Sequence, residues 1–466
     1  MDTELLVIGA GPGGYVAAIR AGQLGLDVTL VEKEAYGGVC LNHGCIPSKA
    51  LITAAGLAER AANAGEMGID AEVSTDIERM VEWKDGVVDQ LTGGVRKLCL
   101  ANGVDLVEGR AEFVDDSTVA VHEGDADAHD RISFEHAIVA TGSRPIELPG
   151  FDFDDDPVWD SRQALAAESV PARLLVVGAG YIGMELSTVY AKLGSDVTVV
   201  EMLDSILPTY EDDVAAVVRD RAEELGVDCH FGEAASGWTG TAEGVRVTTE
   251  SEDGEESSYD ADRVLVAVGR EPVTDTVELD NADLGTDEDG FVETTAEGRT
   301  AVDSVYAIGD VAGEPLLAHA ASKEGILAAH DIAGESLEVG DWIVPAAVFT
   351  DPEIATVGLT AEEAEAAGFE PIVGEMPFRA SGRALTTGES DGFVRVVGAE
   401  SDGALLGAQI VGPEASELVA ELAFAIRQRA TLHDIAETIH VHPTLSEAVM
   451  EAAENALGQA IHTTNR

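Results

Sequence analysis

Two stretches of this chain carry the same pattern of apolar runs and glycine turns. Residues 4–33 read ELLVIGAGPGGYVAAIRAGQLGLDVTLVEK, and residues 173–202 read RLLVVGAGYIGMELSTVYAKLGSDVTVVEM. The two align without a gap. Each begins with a continuous apolar run, which predicts a strand buried on both faces. Helical spacing follows the glycines, and a second apolar run closes on a glutamate. The pattern is a strand–helix–strand dinucleotide unit, present twice.

The glycines have separate jobs in such a unit. Gly9 and Gly178 make the tight turn, Gly11 and Gly180 let the backbone approach a pyrophosphate, and Gly14 and Gly183 let helix and strand pack closely. The helix start then meets the negative phosphates. Glu32 and Glu201 stand at the same distance beyond the first glycine, where a carboxylate accepts hydrogen bonds from a ribose diol. Glu201 repels a 2′-phosphate, and the following Met202 and Leu203 supply no arginine to hold one. NAD is therefore favoured over NADP.

Downstream, Ile138–Ser143 and Val264–Gly269 read as strands running into turns, and the acidic, proline-bearing stretch Pro149–Pro157 as a linker. Tyr306–Asp310 is another strand ending in Gly-Asp, which suggests a return to the first domain. From about 346 the pattern becomes strands (Val394–Val397, Leu405–Val411) mixed with helices (Ser416–Arg427, Leu445–Leu457). The expected fold is α/β, with two Rossmann-like dinucleotide-binding domains and a C-terminal α+β domain. The expected boundaries are 1–149, 150–275, a segment 276–345 returning to the first domain, and 346–466.

Between the repeats lies Gly37-Gly38-Val39-Cys40-Leu41-Asn42-His43-Gly44-Cys45-Ile46-Pro47-Ser48-Lys49. A helix over Ala50–Ala62 is predicted next, and Pro47 fits a first helical turn, where its missing N–H costs little. A helix start favours thiolate, the reactive form. A structural disulfide and two buried thiols are the other readings; the flanking glycines, the nearby fingerprint and Lys49 favour a redox-active pair. With 4 Cys in 466 residues there is no disulfide framework. Cys99 and Cys229 read as buried structural thiols, and His122, His129 and His136 as surface residues.

Charge changes the picture further. The chain has 88 acidic and 27 basic side chains, a net charge of −61 at pH 7. Nucleic acid is excluded as a partner, because phosphate binding needs clustered Lys and Arg. The 45% hydrophobic content is that of a folded chain. Such a charge repels itself at low salt, whereas ~1 M salt shortens the Debye length to ~3 Å. A high-salt cytoplasm, as in a halophilic archaeon, is expected; an acidic protein serving a basic partner is the alternative. No apolar run reaches the ~18 residues of a membrane span, and Met1-Asp2-Thr3-Glu4 runs straight into a strand, so no membrane association and a cytoplasmic location are expected.

Taken together, GAGPGG at 9–14, GGVCLNHGCIPSK at 37–49, ATGSRP at 140–145, GAGYIGMEL at 178–186, VGREP at 268–272, AIGD at 307–310 and HVHPTLSE at 440–447 resemble the pyridine nucleotide–disulfide oxidoreductases over essentially the whole chain. His43, where an apolar residue is usual in that family, and Val273, where Asn is common, depart from it. The resemblance implies that the first unit binds FAD and the second NAD. It implies Glu32 on the FAD ribose, Ala111, Thr141 and Gly142 as backbone contacts, Asp310 at the ribityl–pyrophosphate region and Ala318 at the flavin edge. Lys49 is implied beside the flavin, paired with Glu185. For NAD it implies Gly178, Gly180, Gly183, Glu201, Ala235 and Gly269. It further implies a Cys40–Cys45 redox disulfide, with Cys40 the more exposed sulfur. The base that the resemblance implies is His442, oriented by Glu447 and supplied by the partner of a homodimer through the C-terminal domain. The implied substrate is a dihydrolipoyl dithiol on the lipoyl domain of an acyltransferase or a similar carrier.

His440 and His442 as a metal pair is the competing reading, but no further ligands cluster nearby and no metal is expected. Glutathione-type reductases carry arginines near position 201, and mercuric reductases an extra C-terminal cysteine pair. Neither occurs here. A structural subunit without turnover is the remaining alternative, and intact Cys40, Cys45, His442 and Glu447 argue against it.

Overall fold

The computed structural model describes residues 1–122, 130–335, 337 and 342–465. Two compact units form, Met1–Val170 with Val266–Gly340, and Pro171–Leu265 with Asp341–Arg466.

The first unit is built on a sheet in the order Val104–Glu108, Val28–Glu32, Asp2–Ile8, Asp130–Val139, Thr118–His122, Arg110–Asp115. The central strands pair in parallel, with Leu5 opposite both Val28 and His136. Side chains alternate across a strand, and here both faces are apolar. Leu5 and Val7 pack into one cluster with Ala17, Ala18 and Ala21 of the helix Pro12–Gln23. Leu6 and Ile8 pack into another with Phe113, Val119 and Ile132 of the antiparallel strands. That double burial is why the segment reads as a continuous apolar run. Val305–Ala307 pairs in parallel with Ala137–Val139, so the chain does come back to this sheet.

The second unit repeats the parallel core, in the order Asp228–Phe231, Asp196–Glu201, Arg173–Val177, Arg263–Val266. A three-stranded antiparallel sheet, Glu233–Thr241, Gly244–Ser251 and Glu256–Ala261, follows the last of its helices. Its C-terminal part is an antiparallel five-stranded sheet, in the order Ala346–Val348, Glu353–Gly358, Leu405–Gly412, Phe393–Ala399, Pro371–Pro377. Helices Ala415–Arg427 and Glu447–Ala456 complete one apolar cluster with it. A Cβ on Gly374 would lie 2.0 Å from the Ala452 carbonyl oxygen, so only glycine lets the helix Glu447–Ala456 sit this close to its strand. Half-buried cations join the two parts of this unit. Lys192 and Arg221 meet Asp351 at 2.8 and 3.2 Å, and Arg395 reaches Glu211, Asp213 and Glu375.

Candidate active site

In the first dinucleotide turn, Gly9 takes φ 100°. A side chain there would strike the Ala140 carbonyl oxygen at 2.4 Å, and one on Gly14 would lie 1.9 Å from the Gly9 oxygen. Gly11 precedes the helix in extended conformation, and no side chain caps that helix. A Cβ on Gly11 would meet nothing within 4 Å. An uncapped helix start facing open space has the donors and the dipole sign for a pyrophosphate. Glu32 closes its strand with Oε2 accepting the Ala10 N–H (2.7 Å) and Oε1 accepting the Glu34 N–H (2.8 Å). A carboxylate has about four acceptor sites, so capacity for a ribose diol remains. These residues fit a dinucleotide.

Other residues of the expected FAD set gather at the same carboxyl edge of the sheet. Thr141 and Gly142 follow Ala140 beside Gly9, and Thr141 Oγ1 donates to the Val273 carbonyl (2.6 Å). Asp310 follows the returning strand Val305–Ala307. Ala318 starts the helix Ala318–Ile332, whose Ser322 hydroxyl reaches the Pro12 carbonyl at 3.3 Å. Ala111 lies buried in the edge strand, opposite Val121.

The second turn has the same local geometry. Gly178 takes φ 101°. Gly180 is extended before an uncapped helix start, with open space where a Cβ would be, and a Cβ on Gly183 would lie 2.0 Å from the Gly178 oxygen. Glu201 accepts the Ala179 N–H (2.7 Å) and the Leu203 N–H (2.9 Å). Ala235 stands at an irregularity of the strand Glu233–Thr241. Gly269, at φ 136°, belongs to the first unit. Glu185 is buried, and its Oε1 accepts the Phe349 N–H at 2.9 Å.

The cysteine loop is stitched to the first turn. The Gly37 N–H donates to the Ala10 carbonyl at 2.8 Å. Gly38, at φ 58°, lies so near Gly11 that a Cβ would come 2.5 Å from the Gly11 Cα. Cys40 lies in the short helix Gly38–Asn42, and Cys45 opens the helix Cys45–Ala62. The long helix thus begins five residues before the expected Ala50, because Pro47 is accommodated within its first turn. Lys49 follows Cys45 by one helical turn, so the two share a helix face.

Both cysteines are free thiols here. Cys40 is the less exposed of the two, the reverse of the expectation, because it packs against the apolar cluster beneath the sheet while Cys45 stands at an open helix start. The Cys40 thiol hydrogen-bonds to Cys45, and this contact, reinforced by burial and opposed by Lys49, pushes the Cys40 pKa up. Cys45, at the positive end of a helix, is placed to carry thiolate. His43, between them, reaches Glu34 at 3.2 Å, and the same Glu34 oxygen meets Arg162 at 2.6 Å.

His442 Nδ1 lies 2.8 Å from Glu447 Oε1, whose other oxygen accepts the Thr444 N–H at 2.9 Å. Burial opposes ionisation of Glu447, but Thr444 and His442 outweigh it and hold the pKa low. An ionised carboxylate only accepts, so Nδ1 carries the proton and Nε2 is left basic. The His442 side chain is 80% exposed. His440 faces a different carboxylate, Glu421, at 2.9 Å, so the two histidines do not converge. Among the described residues, no group of three or more metal-ligating side chains comes together.

Burial pushes the Cys99 and Cys229 thiols up to about 11. Cys229 is only half-buried, not buried as expected. The expected surface position also fails for two histidines whose strands are covered. His122 is 17% exposed beside Glu112, and His136 packs edge-on against Tyr306. His129 lies outside the described residues. Sequence reasoning passed over Ser143, Arg270, Glu324 and Thr444, which act only through partners distant in the chain or through backbone groups.

No helix among the described residues is long and apolar enough to cross a membrane. Over its full length the chain is 67% identical to the dihydrolipoyl dehydrogenase of Haloferax volcanii, of which it covers 98%. It is 66% identical over 465 residues to that of Halobacterium salinarum, again covering 98%. These relatives come from halophilic archaea, in line with the acidic surface. The solved structure of LpdA from Mycobacterium tuberculosis matches with a TM-score of 0.90 and 29% identity, over 97% of this chain and 99% of that one. Residues 344–453 match the dimerisation domain of the pyridine nucleotide-disulphide oxidoreductases. Residues 3–325 match the main domain of the same family, and with the paired thiols set against a dinucleotide turn the chain belongs to the pyridine nucleotide-disulphide oxidoreductases.

Proposed function

We propose that the chain oxidises dihydrolipoamide to lipoamide and passes the electrons to NAD⁺. The observation that carries this reading is the hydrogen-bonded Cys40–Cys45 pair, seated at a helix start and joined to the first dinucleotide turn. The relatives named dihydrolipoyl dehydrogenase support the choice of dithiol. Residues 1–149 form the FAD segment, 150–275 the NAD segment, 276–345 the return to the first, and 346–466 the dimerising segment. The cytoplasm is the proposed location.

In the oxidised enzyme Cys40 and Cys45 form a disulfide. His442 Nε2 takes a proton from one substrate thiol, while Glu447 holds the ring by Nδ1. The exposed His442 suits delivery to the partner subunit's disulfide across the dimer. The substrate thiolate attacks Cys40, although it is the less exposed sulfur, because Cys45 at its helix start is the better leaving thiolate; a mixed disulfide forms and Cys45 is released as thiolate. The second substrate thiol displaces Cys40, which takes up the proton, and lipoamide leaves. The chain now holds two more electrons, and the Cys45 thiolate is stabilised by its helix start. FAD, held by Gly9, Gly11, Gly14, Glu32, Thr141, Gly142 and Asp310, supplies the two-electron path from the dithiol to NAD⁺. Lys49, with Glu185 as its proposed partner, holds positive charge near that path. Gly178, Gly180, Gly183, Glu201, Ala235 and Gly269 hold NAD. A lipoyl domain is the proposed physiological carrier.

Dihydrolipoamide-dependent NAD⁺ reduction in multimolar KCl tests the reading, with C40S, C45S and H442Q alongside. Both serine variants keep a yellow flavin and lose turnover, and H442Q loses about 10²- to 10⁴-fold. Turnover surviving in C45S would remove the dithiol mechanism. In low KCl the unmodified enzyme unfolds sooner; equal stability in both would remove the salt reading.

A further inference from the structure

Asp310 stands just after the strand Val305–Ala307, at the carboxyl edge of the sheet where the proposed reading puts the ribityl–pyrophosphate region of FAD. Its neighbourhood holds a second carboxylate, Glu324, whose Oε2 accepts the Gly309 N–H at 2.6 Å. Burial raises the Glu324 pKa, the Gly309 N–H opposes, and Asp310 adds to the rise. Two acids at one turn need a donor to fix their geometry. For Asp310 that donor is Ser143, 4% exposed, whose Oγ lies 2.5 Å from Asp310 Oδ2.

Ser143 is itself gripped by Arg270. The guanidinium donates from Nε to the Ser143 Oγ at 2.8 Å and from Nη2 to the Ser143 carbonyl at 2.7 Å. An arginine has donors only. With Arg270 pointing its Nε–H at the hydroxyl oxygen, the single Ser143 proton is directed to Asp310. Oδ2 is thereby engaged, and Oδ1 has no protein partner among the described residues. The carboxylate cannot spin freely about its last bond, and its second oxygen is left for a ligand hydroxyl.

We propose that Arg270 and Ser143 are positioning residues for FAD, forming a polarised relay that aims Asp310 Oδ1 at a hydroxyl of the flavin's polyol chain. The relay joins the strands Ser143–Pro145 and Arg270–Pro272, which pair antiparallel, to the returning strand's end. It rests on the reading of Asp310 as a flavin ligand. Strand pairing brings Arg270 within reach of the Ser143 carbonyl. It does not explain the second contact, from Nε to the hydroxyl, nor the hydroxyl's contact to Asp310.

The test is FAD retention by the holoenzyme in high KCl, read as flavin fluorescence released on dilution, with thermal unfolding followed in parallel. S143A releases FAD with an affinity about ten- to a hundredfold weaker, as loss of a hydrogen bond to a charged group predicts. S143T, which keeps the hydroxyl, restores most of it. R270Q weakens FAD by a smaller factor, and S143A/R270Q is no worse than S143A, because Arg270 acts through the serine. Additive losses, or S143A retaining FAD while D310A loses it, would overturn the relay alone. D310A retaining FAD would overturn the flavin reading of Asp310, and the relay with it.

Discussion

The two dinucleotide turns share their defining geometry but not their surroundings. Both start a helix from an extended, uncapped glycine, and in both the strand-end glutamate accepts one backbone N–H from the turn and one from the residue two positions after itself. The first is hemmed in by its own unit. A Cβ on Gly13 would come 3.3 Å from the Ala321 carbonyl oxygen, Gly9 abuts Ala140 and Gly38 abuts Gly11. Beside the second, Tyr181 is 45% and Met202 65% exposed. The contrast fits the proposed division of nucleotides: an enclosed turn suits a nucleotide that stays, and an open one a nucleotide that arrives and leaves each cycle.

The sharpest way to break the comparison is at the third glycine. A Cβ at Gly14 or Gly183 would meet a backbone oxygen at 1.9 or 2.0 Å. Gly14→Ala should yield colourless, poorly folded protein. Gly183→Ala should stay yellow and lose about a hundredfold or more in NAD affinity. Flavin absorbance and NADH titration separate the two, and equal damage to both functions would mean the units do not divide the nucleotides.

At the second glycine the space is open and φ is ordinary, so Gly11→Ala and Gly180→Ala should leave the melting temperature unchanged. A phosphate needs that space. Each variant should weaken only its own nucleotide, by about tenfold. A changed melting temperature would show that the space is already used by the fold.

A smaller shift is expected from Glu201→Ala combined with Met202→Arg. Removing the carboxylate and adding a guanidinium should raise NADPH over NADH use by about tenfold. Unchanged preference would take Glu201 off the ribose.

The smallest effect concerns the unit rather than the turn. Burial opposes the ionised Asp351, but Lys192 and Arg221 outweigh it and hold its pKa below the ordinary carboxylate value. Its stabilisation is therefore fully present above the unfolded pKa and lost as pH falls through the folded one. Asp351→Asn should cost about 1–3 kcal/mol at neutral pH. The cost should shrink in acid, as denaturant titrations at several pH values would show.

Much of this was legible in the residues themselves. The turns, the terminal glutamates and the cysteine motif are local, and a periodic code exposes them. The returning strand at Val305 was readable because its apolar run ends in Gly-Asp. What escaped was set by packing. Which cysteine is exposed depends on the cluster beneath Cys40. The covered faces of His122 and His136 depend on neighbouring elements, and the Ser143 bonds cross 127 and 167 residues of chain. No window of sequence holds both partners of such a pair.

The contact of Gly38 with Gly11 has a consequence for inheritance. With Gly37 bonded to Ala10 as well, the thiol loop and the phosphate turn have no joint at which one can be exchanged without the other. Anyone grafting this redox centre onto another scaffold would have to move residues 9–49 as a single cassette. Recombination among related genes that cuts inside it should leave few functional offspring.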